Sequence, residues 1–173
     1  MVPPDRLTYL FNTYHDALVR YLTRRVGDRD WAEEVAQETF VRALRQDVIA
    51  SERSWLFAVA TNLVRDGARK DARHRARLEL LRSDQEAEAG AIEDEGGGMR
   101  REEERARARA AIALLAERDR DALLMKEEGL SYEEIAAALE LSVGSVGTTL
   151  SRARRRLMEA YESLDAAPGV RPA

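Results

Sequence analysis

The 173 residues contain no cysteine, which removes disulfides, thiol chemistry and any cysteine-based zinc site. Histidine is almost as scarce. His15 and His74 are the only two, far apart and without a carboxylate-rich ligand spacing around either, so neither a metal nor a cofactor is expected. No nucleophile, base and orienting group recur in a catalytic pattern, and the chain is read as a non-enzyme. Long apolar runs are also missing: nothing approaches the roughly 18 to 20 residues of a membrane span, and no signal-peptide core is present. A soluble cytoplasmic protein is therefore expected. No stretch alternates as a strand would, which leaves an all-α chain.

What the chain does have is charge, 35% of its residues, with a net value of −4 that conceals an uneven distribution. Residues 1–82 carry 15 basic and 12 acidic side chains, residues 83–99 carry six acidic and no basic ones, and residues 100–173 carry 13 basic and 14 acidic. The middle stretch is polar, acidic and rich in glycine, too poor in apolar groups to fold alone. It reads as a flexible linker over 83–99, dividing a first small helical domain (1–82) from a second (100–162), with a disordered tail over 163–173. Within the first domain, Arg65 to Arg82 concentrates Arg65, Arg69, Lys70, Arg73, Arg75, Arg77 and Arg82 against three acids, a composition suited to a polyanion.

Apolar residues at three-to-four spacing predict the helices. Leu7, Leu10, Phe11, Tyr14, Leu18, Tyr21, Leu22 and Val26 form one stripe that Gly27 can end. A second helix from about Asp30 turns Ala32, Val35, Ala36, Phe40 and Leu44 inward and Glu33, Glu34, Gln37, Glu38 and Arg42 outward. Ser54 is expected to cap a third helix carrying Leu56, Val59, Ala60, Leu63 and Val64, with Asn62, Arg65, Asp66, Arg69, Lys70 and Arg73 on its other side. Trp55 and Phe57 fit either stacking on bases or the core beside that stripe. After the linker, helices are expected over 100–116 and 119–129.

The stretch from Leu130 to Leu157 reads as a helix-turn-helix. Ser131 and Glu134 have the spacing of a capping box, Glu140 and Leu141 form a tight link, and Ser142 can cap a second helix. On that helix Val146, Leu150, Ala153 and Leu157 share a face, while Ser145, Thr148, Thr149, Ser151, Arg152, Arg154, Arg155 and Arg156 surround the opposite one. No acid occurs from Ser142 to Met158, so this surface suits DNA. Gly144 and Gly147 either allow close approach of a phosphate or relieve packing against the first helix.

Three runs, in this order, resemble the extracytoplasmic-function (ECF) group of bacterial RNA polymerase sigma factors. Gly27-Asp28-Arg29-Asp30-Trp31-Ala32-Glu33-Glu34-Val35-Ala36-Gln37-Glu38-Thr39-Phe40 is similar to the family's region 2.2. Ser54-Trp55-Leu56-Phe57-Ala58-Val59-Ala60-Thr61-Asn62-Leu63-Val64-Arg65-Asp66 is similar to regions 2.3 and 2.4. Gly129 to Ala136, Leu141 to Val146 and Leu150 to Leu157 together resemble region 4.2.

The resemblance implies a subunit that binds core RNA polymerase and directs promoter-specific initiation, under the control of an anti-sigma factor. It implies docking of Glu33, Glu34, Gln37 and Glu38 on the beta-prime clamp helices, with the beta flap as a further contact. Asn62 and the loop from Gln46 to Arg53 would capture an unpaired base at the minus-10 element, while Arg65, Arg69, Lys70 and Arg73 hold the backbone. At the minus-35 element Thr148, Arg152 and Arg155 would enter the major groove, flanked by Ser145 and Thr149, with Arg154 and Arg156 on phosphates. Gly147, Thr148 and Thr149 depart from the family pattern, so the base preference does not transfer. The acidic linker resembles in placement the segment that threads the polymerase's RNA exit path, and its composition on its own fits a solvated tether. The residues alone also allow a dimeric helix-turn-helix regulator or a helical adaptor.

Overall fold

The computed structural model describes residues 3–67, 76–80 and 97–166. Seven helices are numbered here in chain order: α1 (Pro4–Val26), α2 (Arg29–Leu44), α3 (Glu52–Asp66), α4 (Gly97–Ala113), α5 (Glu117–Glu127), α6 (Tyr132–Leu139) and α7 (Val143–Ala166). Residues 76–80 are helical as well, and no strand occurs among the described residues. Arg69, Lys70, Arg73 and most of the acidic stretch lie outside the described residues.

Local chemistry accounts for most of the helix ends. Pro4 occupies the first turn of α1, where its missing N–H costs nothing, and Gly27 closes the helix in the left-handed region at φ 76°. Asp28 then caps α2, accepting from the Asp30 amide at 2.9 Å and the Trp31 amide at 3.4 Å. That places the start at Arg29, one residue before the expected point. The third helix starts earlier than its sequence suggests. Ser51, in extended backbone, precedes Glu52, and its carbonyl accepts from the Trp55 amide at 2.9 Å. Ser54 is consequently a buried residue inside the first turn and caps nothing; it accepts a hydrogen bond from the Ser51 hydroxyl.

Two further boundaries move. Gly97 to Met99, read as linker, already belongs to α4, and α7 continues through residues read as tail to Ala166, with Arg107 reaching Asp165 at 2.7 Å. The C-terminal half of α4 packs against α7, with Arg107 also over the Tyr161 ring, which accounts for the length of α7; the earlier turns of α4, exposed from Met99 to Ala106, project beyond that contact.

α1, α2 and α3 pack around Leu18, Tyr21, Leu22, Ala36, Leu56 and Phe57, all fully buried. Phe57 is therefore core, its ring 5.1 Å from that of Tyr21. The Tyr21 hydroxyl pairs with Thr61 Oγ1 at 2.7 Å, and burial pushes that phenol well above its usual range. Phe11, expected inside, is 42% exposed and stacks on His15 at the α1–α2 seam. The same apolar cluster continues into the second helical group through Met125, Leu130, Ile135 and Leu139. α6 lies against α3 and α5 against α1, so the two groups are packed together and not merely tethered.

The helix-turn-helix has the expected anatomy. Ser131 Oγ accepts from the Glu134 amide and Glu134 Oε1 accepts from the Ser131 amide, each at 3.1 Å. Glu140 turns the chain with a left-handed φ of 55°. At α7 the Ser142 hydroxyl donates to the Ser145 hydroxyl at 3.0 Å, and no amide is capped by it. Ser131→Ala should therefore cost about 1 kcal/mol in denaturant unfolding, whereas Ser142→Ala should cost less than half as much. Replacing Glu140 by glycine should stabilise by up to about 1 kcal/mol, since a side chain in left-handed backbone is strained by that order.

Candidate polymerase and nucleic-acid interfaces

α2 presents its acidic face as the periodicity implies. Trp31, Ala32, Val35, Ala36, Thr39 and Phe40 are buried beneath it. Glu34, Gln37 and Glu38 are exposed; Glu33 is half-buried. Two of the acids are matched within the helix, Glu33 by Arg29 at 3.1 Å and Glu38 by Arg42 at 2.9 Å. A cleft of about 460 Å³ opens beside this face, lined by Trp31, Val35 and Leu63 and rimmed by Glu34, Glu38 and Asp66. An apolar floor with an acidic rim suits a partner that brings both an apolar knob and basic groups.

On α3 the candidate minus-10 residues fall in different surroundings. Asn62 is exposed. Arg65 is half-buried, its terminal nitrogen 3.0 Å from Asp121 of α5. Arg53, at the end of the loop expected to capture a base, donates to the Gly129 carbonyl at 3.2 Å and lies 3.6 Å from Glu134.

α7 carries the candidate minus-35 set. Val146, Leu150 and Ala153 are fully buried, and Leu157 packs at the edge of a small second cluster with Leu115 and Leu123. Thr148, Arg154 and Arg155 are exposed, and the two arginines pair with no carboxylate among the described residues. Ser145 is half-buried. Thr149 departs from expectation: it is 5% exposed and donates to the Ser145 carbonyl at 2.9 Å, because it falls beside Val146 and Leu150 on the inner side of the helix. Arg152 and Arg156 also differ from the freely outward arginines expected. Arg152 grips Asp119 of α5 with two nitrogens, at 2.5 and 3.0 Å, and Arg156 reaches the same carboxylate at 3.4 Å.

Neither glycine of this helix is required by packing. A methyl group at Gly144 would meet open space, and one at Gly147 would make an ordinary 3.6 Å contact with the Tyr132 ring. Asp119 and Asp121 are the residues the sequence reading missed. Their signal was phase: Asp119 stands four residues before Leu123 and Asp121 four before Met125, both buried, so both aspartates share the faces that pack inward.

The chain has counterparts among known proteins. A family model described as Sigma-70 region 2 matches residues 10–74, and one described as Sigma-70, region 4 matches residues 105–157. The chain is 30% identical over 154 residues to the ferric citrate uptake sigma factor FecI of Escherichia coli, covering 83% of this chain and 84% of that protein. It belongs to the ECF subfamily of RNA polymerase sigma factors. Similar relatives include the RNA polymerase sigma-E factor of Streptomyces avermitilis, 33% identical with 88% and 83% of the two chains covered, and YlaC of Bacillus subtilis, 29% identical with 88% and 90% covered. Among solved structures, CnrH in complex with the cytosolic domain of CnrY superposes with a TM-score of 0.66 at 27% identity, covering 96% of this chain and 92% of that one. The sigma factor RpoE of Bartonella quintana, solved with the anti-sigma factor NepR, shares the fold at a TM-score of 0.59 and 23% identity, over 91% and 96% of the chains.

In this sigma factor the hydrogen bonds from Arg152 hold the Asp119 carboxyl below its usual value of 3.8, outweighing the opposing effect of burial. A carboxyl whose value is lowered by folding adds stability that is fully present above its unfolded value and is lost as pH falls towards the folded one. Region 4 should thus lose stability on acidification from about pH 5 downwards. Asp119→Asn should lower the melting temperature at neutral pH and flatten that acid limb in thermal melts collected from pH 7 to pH 3.

Proposed function

We propose that this sigma factor docks on the beta-prime clamp helices through Glu33, Glu34, Gln37 and Glu38 of α2, and engages the beta flap through region 4. The observation that carries the reading is the exposed acidic face of α2 over a rigid buried floor, beside an apolar cleft. A basic, partly apolar partner surface complements both features, and the charge speeds encounter as well as binding. On the DNA side, Asn62 and the residue 46–53 loop take an unpaired base, with Arg65, Arg69, Lys70 and Arg73 along the backbone. Flipping a base costs a few kcal/mol, which a shaped pocket must offset. α7 enters the major groove at the minus-35 element through Thr148 and Arg155, with Arg154 on phosphate; Ser145, Arg152 and Arg156 border that surface. Thr149 acts from beneath, fixing the α7 backbone. No residue forms a covalent bond with substrate, and nucleotidyl transfer belongs to the polymerase. Control by an anti-sigma factor is supported by CnrH and RpoE, each solved with a bound partner chain.

Run-off transcription with core polymerase tests the reading, since only a sigma factor confers a defined start on a core that otherwise has none. Glu34→Lys/Glu38→Lys should abolish co-purification with core polymerase while leaving the melting curve within about 0.5 kcal/mol of wild type, as both sites are exposed. Arg155→Ala should weaken promoter binding and lower the slope of log K against log salt by about one unit if one phosphate contact is lost. An unchanged slope removes Arg155 from the phosphate contacts.

A further inference from the structure

Every ion pair described between the two helical groups has the same polarity. Region 2 supplies the arginine and region 4 the carboxylate: Arg20 to Glu128 at 3.1 Å, Arg24 to Glu128 at 3.6 Å, Arg25 to Glu117 at 2.7 Å and to Asp121 at 2.5 Å, Arg53 to Glu134 at 3.6 Å, and Arg65 to Asp121 at 3.0 Å and to Glu117 at 3.9 Å. Chance pairing between two lobes of mixed charge would give both senses. A one-signed set is what an anionic ligand makes on a basic receptor. Its basic half includes Arg65, assigned to the minus-10 backbone, and Arg53, which closes the loop assigned to base capture.

We infer that the acidic edge of α5 and α6 is an internal stand-in for promoter phosphates, seated on a DNA-binding face of region 2 that includes Arg20, Arg24, Arg25 and Arg53 as well as Arg65. This deepens the reading above and rests on it, since the ligand displaced is the promoter strand. The closed arrangement and promoter binding exclude one another for two reasons. The first is occupancy: Arg65 turns a terminal nitrogen to Asp121 and Arg53 one to the Gly129 carbonyl, so both side chains point into region 4. The second is reach. Elements some 25 base pairs apart are separated by about 85 Å of duplex at about 3.4 Å per pair, whereas a closed globule of this length has a radius of gyration of only about 16 Å. The reader helix α7, packed on α5 while α5 contacts α1, cannot address the distal element until region 4 leaves region 2. Opening also frees the arginines that the melted strand requires, so release of the distal reader and exposure of the proximal face are one event.

The absence of cysteine allows a direct test in the full chain. Asn12→Cys and Glu159→Cys, both exposed, carry a donor and an acceptor dye, and energy transfer reports the separation of the lobes. Two variants neutralise the acidic edge: Asp121→Asn, and Glu128→Gln/Glu134→Gln, in which glutamine keeps the capping box at Ser131. Mixed-sequence single-stranded DNA is the probe. The expected result is high transfer in wild type that falls on adding DNA, low transfer without DNA in the variants, and DNA binding on the order of tenfold tighter in them, equal to about 1.4 kcal/mol. Should Asp121→Asn fail to fold by circular dichroism, Glu128→Gln/Glu134→Gln decides. Transfer and DNA affinity equal to wild type in a folded variant would overturn the inference. Wild-type run-off transcription is measured alongside, so failure of the sigma reading itself shows separately, as no promoter-specific transcript.

Discussion

The arrangement depends on one buried carboxylate. Asp121 is fully buried on α5, with Arg25 of α1 on one oxygen and Arg65 of α3 on the other. An ion of this size removed from water costs several kcal/mol unless its partners are placed to compensate. Here they come from two different helices of the other region. That requirement fixes the register of α1, α3 and α5 together: sliding any of them by a residue would leave a buried charge facing apolar neighbours. Such a triad does little for raw stability, because an apolar replacement would pack as well. It selects one relative placement of the two lobes from among those that hydrophobic contact alone would accept.

α5 then acts as a seam with two sides. At about 100° per residue, a separation of two residues puts Asp119 roughly 200° from Asp121, so one aspartate faces α7 and the other faces region 2. Asp119 gathers Arg152 and Arg156, and Asp121 gathers Arg25 and Arg65. Arginines on both proposed DNA surfaces are thereby referred to a single eleven-residue helix. The consequence differs on the two sides. The contact with α7 lies within region 4 and survives separation of the lobes, so it orients two arginines at the border of the proposed reader. The contact with α1 and α3 crosses between lobes and is lost when they part.

What could be read from the sequence follows the range of each interaction. The capping box of Ser131 and Glu134, the glycine ending α1 and the acidic face of α2 are set by neighbours within four residues, and each stands where the spacing put it. The buried stripe Val146, Leu150 and Ala153 is equally local. Thr149 illustrates the limit: its position on the helical wheel is near the boundary of that stripe, and only the packing of α6 and α7 decides that it is covered. Asp119 and Asp121 illustrate a different limit. Charged residues are read as outward by default, and in the run from Glu117 to Asp121 nothing local separates the two that turn inward from the three that do not. Arg152 was assigned outward for the same reason, since its partner lies 33 residues away.

The balance between closed and open forms follows from which of these contacts a partner can replace. Partly exposed pairs such as Arg53 with Glu134 contribute about 0.2 to 1 kcal/mol each, and their members regain water when the lobes part. The buried triad behaves likewise, because opening returns Asp121, Arg25 and Arg65 to solvent and removes the desolvation cost along with the attraction. Only the apolar contact of α6 on α3 and of α5 on α1 is lost without such recovery. Specific DNA contacts exceed non-specific ones by roughly 4 to 10 kcal/mol, so a promoter held on polymerase has enough free energy to exchange region 4's carboxylates for its own phosphates. Closure that joins buried apolar contacts at Met125, Leu130 and Ile135 to ion pairs whose arginines, Arg20, Arg24 and Arg53, reach solvent is selective in the free protein, yet it is reversible by a ligand carrying the same charge as the edge it displaces.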